Sequence, residues 1–200
     1  MVTDYASLKT SIAAFLHRTD LTDMIPEFIA DAETRIYNDL RVRAMETAYS
    51  ATMTGGVVDL PAGFIEWQWL YLDASPKQKL ERKDMEWITT RYPSATGKPL
   101  YFARNGDALA FAPLPDSDYD LIGSYYKRLD ALSDSNTSNW LTTDNPDLIR
   151  YAALCEAAPY ALEDARVTLW ESKYQAVKAR IERTEKREQY SGSRLTATAG

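Results

Sequence analysis

The chain has 200 residues, 45% of them hydrophobic and 26% charged, with a net charge of −6 and one cysteine. That length supports one large domain or two small ones with a true hydrophobic core, and the balance is ordinary for a soluble globular protein. The acidic total argues against a general nucleic-acid-binding surface, and a lone cysteine excludes an internal disulfide framework and fits a reducing compartment.

No apolar run nears the roughly 20 residues that a membrane helix needs. The opening MVTDYASLKT also lacks the basic start and apolar stretch of a secretory signal. The first element predicted is a helix. Thr3 or Asp4 can cap it, and Tyr5, Leu8, Ile12, Phe15 and Leu16 share one face. HRTDLTD breaks the pattern. A second helix follows with Pro26 in its first turn and a stripe of Ile25, Phe28, Ile29, Ala32, Ile36 and Leu40. Asp31 and Arg35 are spaced to pair along its other side.

From about Glu46 to Leu129 the period changes to two. Trp67, Trp69 and Tyr71 alternate with Glu66, Gln68, Leu70 and Leu72, which predicts a strand whose aromatic stripe packs in a sandwich core. Gly55-Gly56 marks one turn. Asn105-Gly106, between Leu100–Arg104 and Asp107–Ala112, marks a hairpin, because both residues tolerate positive φ. Asp84 to Tyr92 predicts a short helix before Pro93, and Leu121 to Arg128 a last strand.

SDSNTSNWLTTDNP is polar and predicts a loop. Asp144 or Asn145 then caps a third helix that starts at Pro146. A fourth helix runs from near Asp164 to about Gln189, with a seam of Val167, Trp170, Tyr174, Val177 and Ile181. The fold class is therefore α+β. Helix pairs over 1–45 and 140–190 form a bundle, an antiparallel β domain (a small sandwich or open barrel) is inserted over 46–130, and a linker spans 131–139. Residues 191–200 have no core-forming pattern and predict an extended C-terminal arm. From Ser172 onward the chain has seven cationic and three anionic side chains (+4), which leaves −10 for the remainder of the −6 total. An acidic body with a basic arm points to an acidic partner, another copy included.

Catalytic chemistry finds little support. A cysteine nucleophile needs a base, and His17 is the one histidine, so Cys155 and His17 are the only such pair. One His and one Cys cannot build a standard zinc cluster. Asp116, Asp118 and Asp120 alternate, yet they lack the glycine and distant glutamate of a calcium loop. Phosphate-loop, dinucleotide and nucleophile-elbow motifs do not occur, and no cofactor is expected. Within LCEAAPY, Pro159 lacks an N–H and crowds the carbonyl four residues earlier, that of Cys155. The stretch predicts a structural joint at Cys155 and Pro159 that turns the third helix toward the fourth. Cys155 is its small apolar filler and Glu156 its outward neighbour.

The blocks YASLKTSIAAFLHRTDLTDMIPEFIADAETRIYNDLRVRAMET, VVDLPAGFIEWQWLYLD, NGDALAFAPLPDSDYDLIGSYYKRLDALS, NWLTTDNPDLIRYAALCEAAPY and DARVTLWESKYQAVKARIERTEKREQYSG occur in that order. Together they resemble the head-to-tail adaptor (head completion or connector) proteins of short-tailed phages. The resemblance implies a structural virion protein at the head-tail junction, assembled in the host cytoplasm. It implies a ring, typically a dodecamer, that docks on the portal protein and presents a platform to a distal tail or nozzle protein. The ring would extend a channel through which DNA passes without sequence-specific binding. It also implies an arm that reaches the portal, for which Arg187, Tyr190, Arg194 and Leu195 are the candidate residues. The alternative expectation is a phage-associated cell-wall hydrolase or a carbohydrate-binding tail module built on the tryptophan stripe.

Overall fold

In the computed structural model, which describes residues 2–160 and 166–189, Asp4 starts the first helix, α1 (Tyr5–Leu16). Its carboxylate accepts from the Ser7 N–H at 2.7 Å while the Ser7 hydroxyl accepts from the Asp4 N–H, a reciprocal capping box. The described residues fall into two compact units, one within Met1–Ala44 and Leu129–Gly200, the other Met45–Arg128.

The first unit is helical. α1 buries Tyr5, Leu8, Ile12 and Leu16. Phe15, expected on that face, is 38% exposed at its edge and meets the Tyr151 ring edge-on at 6.4 Å. α2 (Ile25–Asp39) carries Pro26 in its first turn and buries the whole predicted stripe, Leu40 included. α5 (Pro146–Glu156) packs on α1, on α2 and on the long α6 (Arg166–Gln189). The stretch expected to be loop contains a further short helix, α4 (Trp140–Thr143). It forms because Asn139 caps it, accepting from the Leu141 N–H at 2.9 Å.

Segment 131–139 is held to α2 by a buried carboxylate. Glu33 accepts from the Leu132 N–H at 3.1 Å and from the Asn139 amide at 3.3 Å. Burial raises the Glu33 pKa, and those hydrogen bonds, with one from Tyr37, work against the rise. The Thr137 carbonyl in turn accepts from the Tyr5 N–H at 2.7 Å, tying the start of α1 to the same segment.

The second unit holds eight strands in two open four-stranded sheets. They are β1 (Glu46–Met53), β2 (Val57–Asp59), β3 (Phe64–Leu72), β4 (Gln78–Lys79), β5 (Glu81–Arg82), β6 (Tyr101–Asn105), β7 (Ala108–Ala112) and β8 (Tyr119–Lys127). One sheet has the order β1-β8-β3-β4 and the other β2-β7-β6-β5. The pairings are antiparallel except β5 with β6. Met53, Leu70, Leu72, Phe102, Leu109, Phe111 and Leu121 form the shared core, so the domain is a sandwich and not a closed barrel. A short helix, α3 (Met85–Arg91), covers the outer side of the second sheet, with Ile88 against Ala103 and Ala112.

Turn chemistry places the strands. Gly55 and Gly56 have φ of 67° and 81°, and they pass the chain from one sheet to the other, since β1 and β2 belong to different sheets. The second predicted turn is shifted by one residue. Asn105 pairs with Ala108, so Gly106-Asp107 is the two-residue loop, and only Gly106 (φ 63°) takes positive φ. That suits a turn of type II′, which needs glycine at its first central position alone.

The aromatic stripe of β3 does not stay on one face. Trp67 pairs with Tyr125 but Trp69 pairs with Ser124, so one extra residue is inserted at Gln68. A bulge of this kind switches which side chains face inward. Trp67 therefore lies among Tyr49, Phe64 and Tyr125, while Leu70 and Leu72 take over the core and Trp69 is left 40% exposed. The expectation that Trp67, Trp69 and Tyr71 form a single core stripe is corrected by this bulge. Gly123 makes room for it: a Cβ there would stand 2.8 Å from the Trp69 carbonyl oxygen and 3.0 Å from Leu70 Cδ1. Gly123→Ala is expected to lower the stability of this unit by about 1–3 kcal/mol, as overpacking does. The check is the midpoint of urea unfolding followed by tryptophan fluorescence, and an unchanged midpoint would show that the bulge can yield.

Candidate functional site

α6 has 24 residues and is polar over most of its surface. Such a helix needs tertiary contacts to hold one position. Its inner face buries Trp170, Tyr174 and Ile181, the narrow seam expected from their spacing. Charged side chains border that seam at seven-residue intervals, and each meets a residue of α2 or of the chain just after it.

Arg35 on α2 is the first of these. Its guanidinium donates to both Glu171 carboxylate oxygens at 2.8 Å, reaches Glu156 on α5 at 3.3 Å, and lies over the Tyr174 ring at 4.3 Å. It does not pair with Asp31 as its spacing along α2 predicts, because two carboxylates from other helices meet it instead. Burial works against the Arg35 charge, but Glu171 outweighs it, and the guanidinium pKa lies above its ordinary value. Hydrogen bonds from Gln175 and from Arg35 hold the Glu171 carboxyl below the usual carboxylate range.

Asp39 is next. It accepts from the Tyr174 hydroxyl at 2.8 Å and faces the Lys178 ammonium at 3.4 Å. Burial, then the bond to Asp39, raises the Tyr174 pKa. Arg43 completes the set. Its backbone N–H donates to Glu185 at 3.1 Å and its guanidinium to Glu188 at 2.7 Å. The order Arg35, Asp39, Arg43 thus faces Glu171, Lys178, Glu185, a ladder of alternating sign.

The opposite side of α6 is different in kind. Arg183, Lys186 and Arg187 are exposed there, with Lys173 and Arg180 at its edge, Arg180 on the flank that leads toward Arg43 and Asp144. None of them has an ion-pair partner among the described residues. Arg183 only donates its Nε–H to the Ala179 carbonyl of its own helix, at 3.1 Å. Of the candidate arm residues, Arg187 is thus placed on the outer face of the last turn of α6. Tyr190, Arg194 and Leu195 lie outside the described residues.

The joint residues are both described. α5 ends at Glu156, and the Ala157 N–H closes it on the Ala153 carbonyl at 3.0 Å. Pro159 follows, exposed, in a 3-10 turn over Ala158–Tyr160, and the Tyr160 ring rests on Phe28 at 5.2 Å between centroids. Cys155 is half-buried. Burial, then the Glu171 carboxylate, pushes its thiol up to about 12, with Arg35 opposing. His17 is exposed at the end of α1, in a left-handed conformation with φ 53°. The alternating aspartates divide: Asp116, in the turn before β8, accepts from the Tyr119 hydroxyl, while Asp120, within β8, accepts across the sheet from the Thr52 hydroxyl of β1, each at 2.7 Å.

Sequence reasoning missed Glu33 and the ladder. Glu33 was visible in principle, as a carboxylate four residues after Ile29 and four before Tyr37 on a buried face. The ladder had a weaker signal: Glu171, Lys178 and Glu185 recur every seven residues beside the seam. A thiol held near 12 is almost wholly protonated at pH 8, whereas an unfolded cysteine titrates near 8.5. Alkylation of Cys155 by iodoacetamide at pH 8 is therefore expected to run roughly a thousandfold slower in the native chain than in urea. Labelling at similar rates in both states would contradict the reading of Cys155 as a packed thiol.

Among the described residues no helix is long and apolar enough to cross a membrane. No curated protein matches the chain. A family model, described as SU10 adaptor protein, matches residues 3–197, nearly the whole length. The chain belongs to the SU10 adaptor protein family, and so to the phage head-to-tail adaptors that its sequence resembles.

Proposed function

We propose that this adaptor assembles as a ring, a dodecamer by family resemblance, between the portal protein and a distal tail or nozzle protein, and that the ring extends the channel for DNA. Membership of the family makes the chain a structural virion component of the head-tail junction that engages other head and tail proteins. The ring would assemble in the host cytoplasm and dock on the portal there. The net charge of −6 suits a channel wall, because an acidic lining repels the DNA backbone and lets it pass without sticking.

The observation that carries the portal-facing part is the last turn of α6. Lys186 and Arg187 stand there without ion-pair partners among the described residues, and the chain beyond them adds Tyr190, Arg194 and Leu195. The family match continues to residue 197, so this segment belongs to the matched region. Arg187, Tyr190, Arg194 and Leu195 would dock on the portal as an arm. Ordering an arm costs conformational entropy, and many weak contacts repeated around a ring offset that cost.

Truncation after Glu188 is the test. The truncated chain should fold with unchanged far-ultraviolet circular dichroism and thermal midpoint, but should no longer co-sediment with isolated portal rings. Retained co-sedimentation would refute the arm.

A further inference from the structure

Among the described residues the helical unit carries two unpartnered helix faces of opposite charge. On α2, Glu27 and Asp31 are exposed one turn apart, with exposed Ala30 beside them. Neither carboxylate has an ion-pair partner among the described residues. On α6, Arg180 and Arg183 are exposed one turn apart, flanked by exposed Ala176 and Ala179. Among the described residues these two faces do not meet within one copy. The contacts of α6 with α2 come from Glu171, Tyr174 and Lys178, which project from the other side of α6.

We infer that these two faces are the contact between neighbouring copies: the acidic face of α2 in one copy docks on the basic face of α6 in the next. This rests on the proposed ring and names its subunit interface. The two charged pairs are opposite in sign and similar in axial spacing, about 6 Å for four residues on α2 and about 4.5 Å for three on α6. The alanines on both faces let the helices approach to packing distance, about 8–10 Å, so the charges can meet. The two surfaces are different parts of the chain, so the contact is head-to-tail. Contacts of that type close into a ring or continue as a filament, whereas a two-fold contact stops at a dimer. Charge pairs of this kind chiefly set partner choice and register, and salt weakens them.

The experiment uses full-length chains carrying paired reversals, Glu27→Lys with Asp31→Lys in one and Arg180→Glu with Arg183→Glu in the other. Self-association is read by sedimentation velocity and by mass photometry, alone and on portal rings. Each variant by itself should associate at least roughly tenfold more weakly than the natural chain, since like charges then face each other. Mixed one to one, they should recover assembly, because every junction of an alternating ring again pairs opposite charges. A merely misfolded variant would not be rescued by mixing. Reversal variants that assemble like the natural chain would overturn this interface and leave the ring standing. A natural chain that stays monomeric, with portal rings as without, would overturn both.

Discussion

The placement of α6 depends on a charge ladder. Burial of Trp170, Tyr174 and Ile181 supplies the attraction, at about 1.5–3 kcal/mol for each large side chain fully buried. That attraction has no direction, and a seam with spacings of three and four residues can slip. The alternating order of Arg35, Asp39 and Arg43 against Glu171, Lys178 and Glu185 prevents it. Moving α6 by seven residues would set Arg35 beside Lys178 and Asp39 beside Glu185, two like-charge contacts in place of two attractive ones. Exposed ion pairs contribute little net stability one at a time. Their part here is register, and the half-buried Arg35, shared by Glu156 and Glu171 and stacked on Tyr174, is the strongest of them.

A fixed register has consequences on the other side of the helix. Once the ladder faces inward, Arg183 and Arg187 must face outward. α2 shows its own outer face for a parallel reason: its apolar stripe and Glu33 turn inward, which leaves Glu27 and Asp31 in solvent. An adaptor has to present one surface to each neighbour, and a helical unit with opposite charges on separate outer faces meets that need. In the proposed ring each such contact would be small but repeated at every junction.

Much of the fold was legible in the sequence, for identifiable reasons. The helices show because their apolar residues recur at helical spacing and short polar or proline residues mark their starts, as Asp4, Pro26 and Pro146 do. The change of period near Glu46 revealed the β domain. What the sequence hid depends on contacts between distant segments. The bulge at Gln68 turns Trp69 outward, and the space it needs lies on another strand, at Gly123. The pairing of Arg35 was misread because a local partner, Asp31, was available at the right spacing, while Glu171 lies 136 residues away. Local spacing gives no sign of which distant carboxylates will arrive. The lone cysteine shows the same limit: the Glu171 carboxylate that, after burial, holds its thiol protonated comes from another helix, as does the opposing Arg35.

The account stands or falls on assembly. The most direct measurement is mass photometry of the purified full-length chain, 22.6 kDa, with and without isolated portal rings, followed by electron microscopy of the mixture. The account predicts a discrete mass increment of many copies on each portal ring, visible as a second ring coaxial with the first. Portal rings of unchanged mass beside a monomeric chain would contradict it.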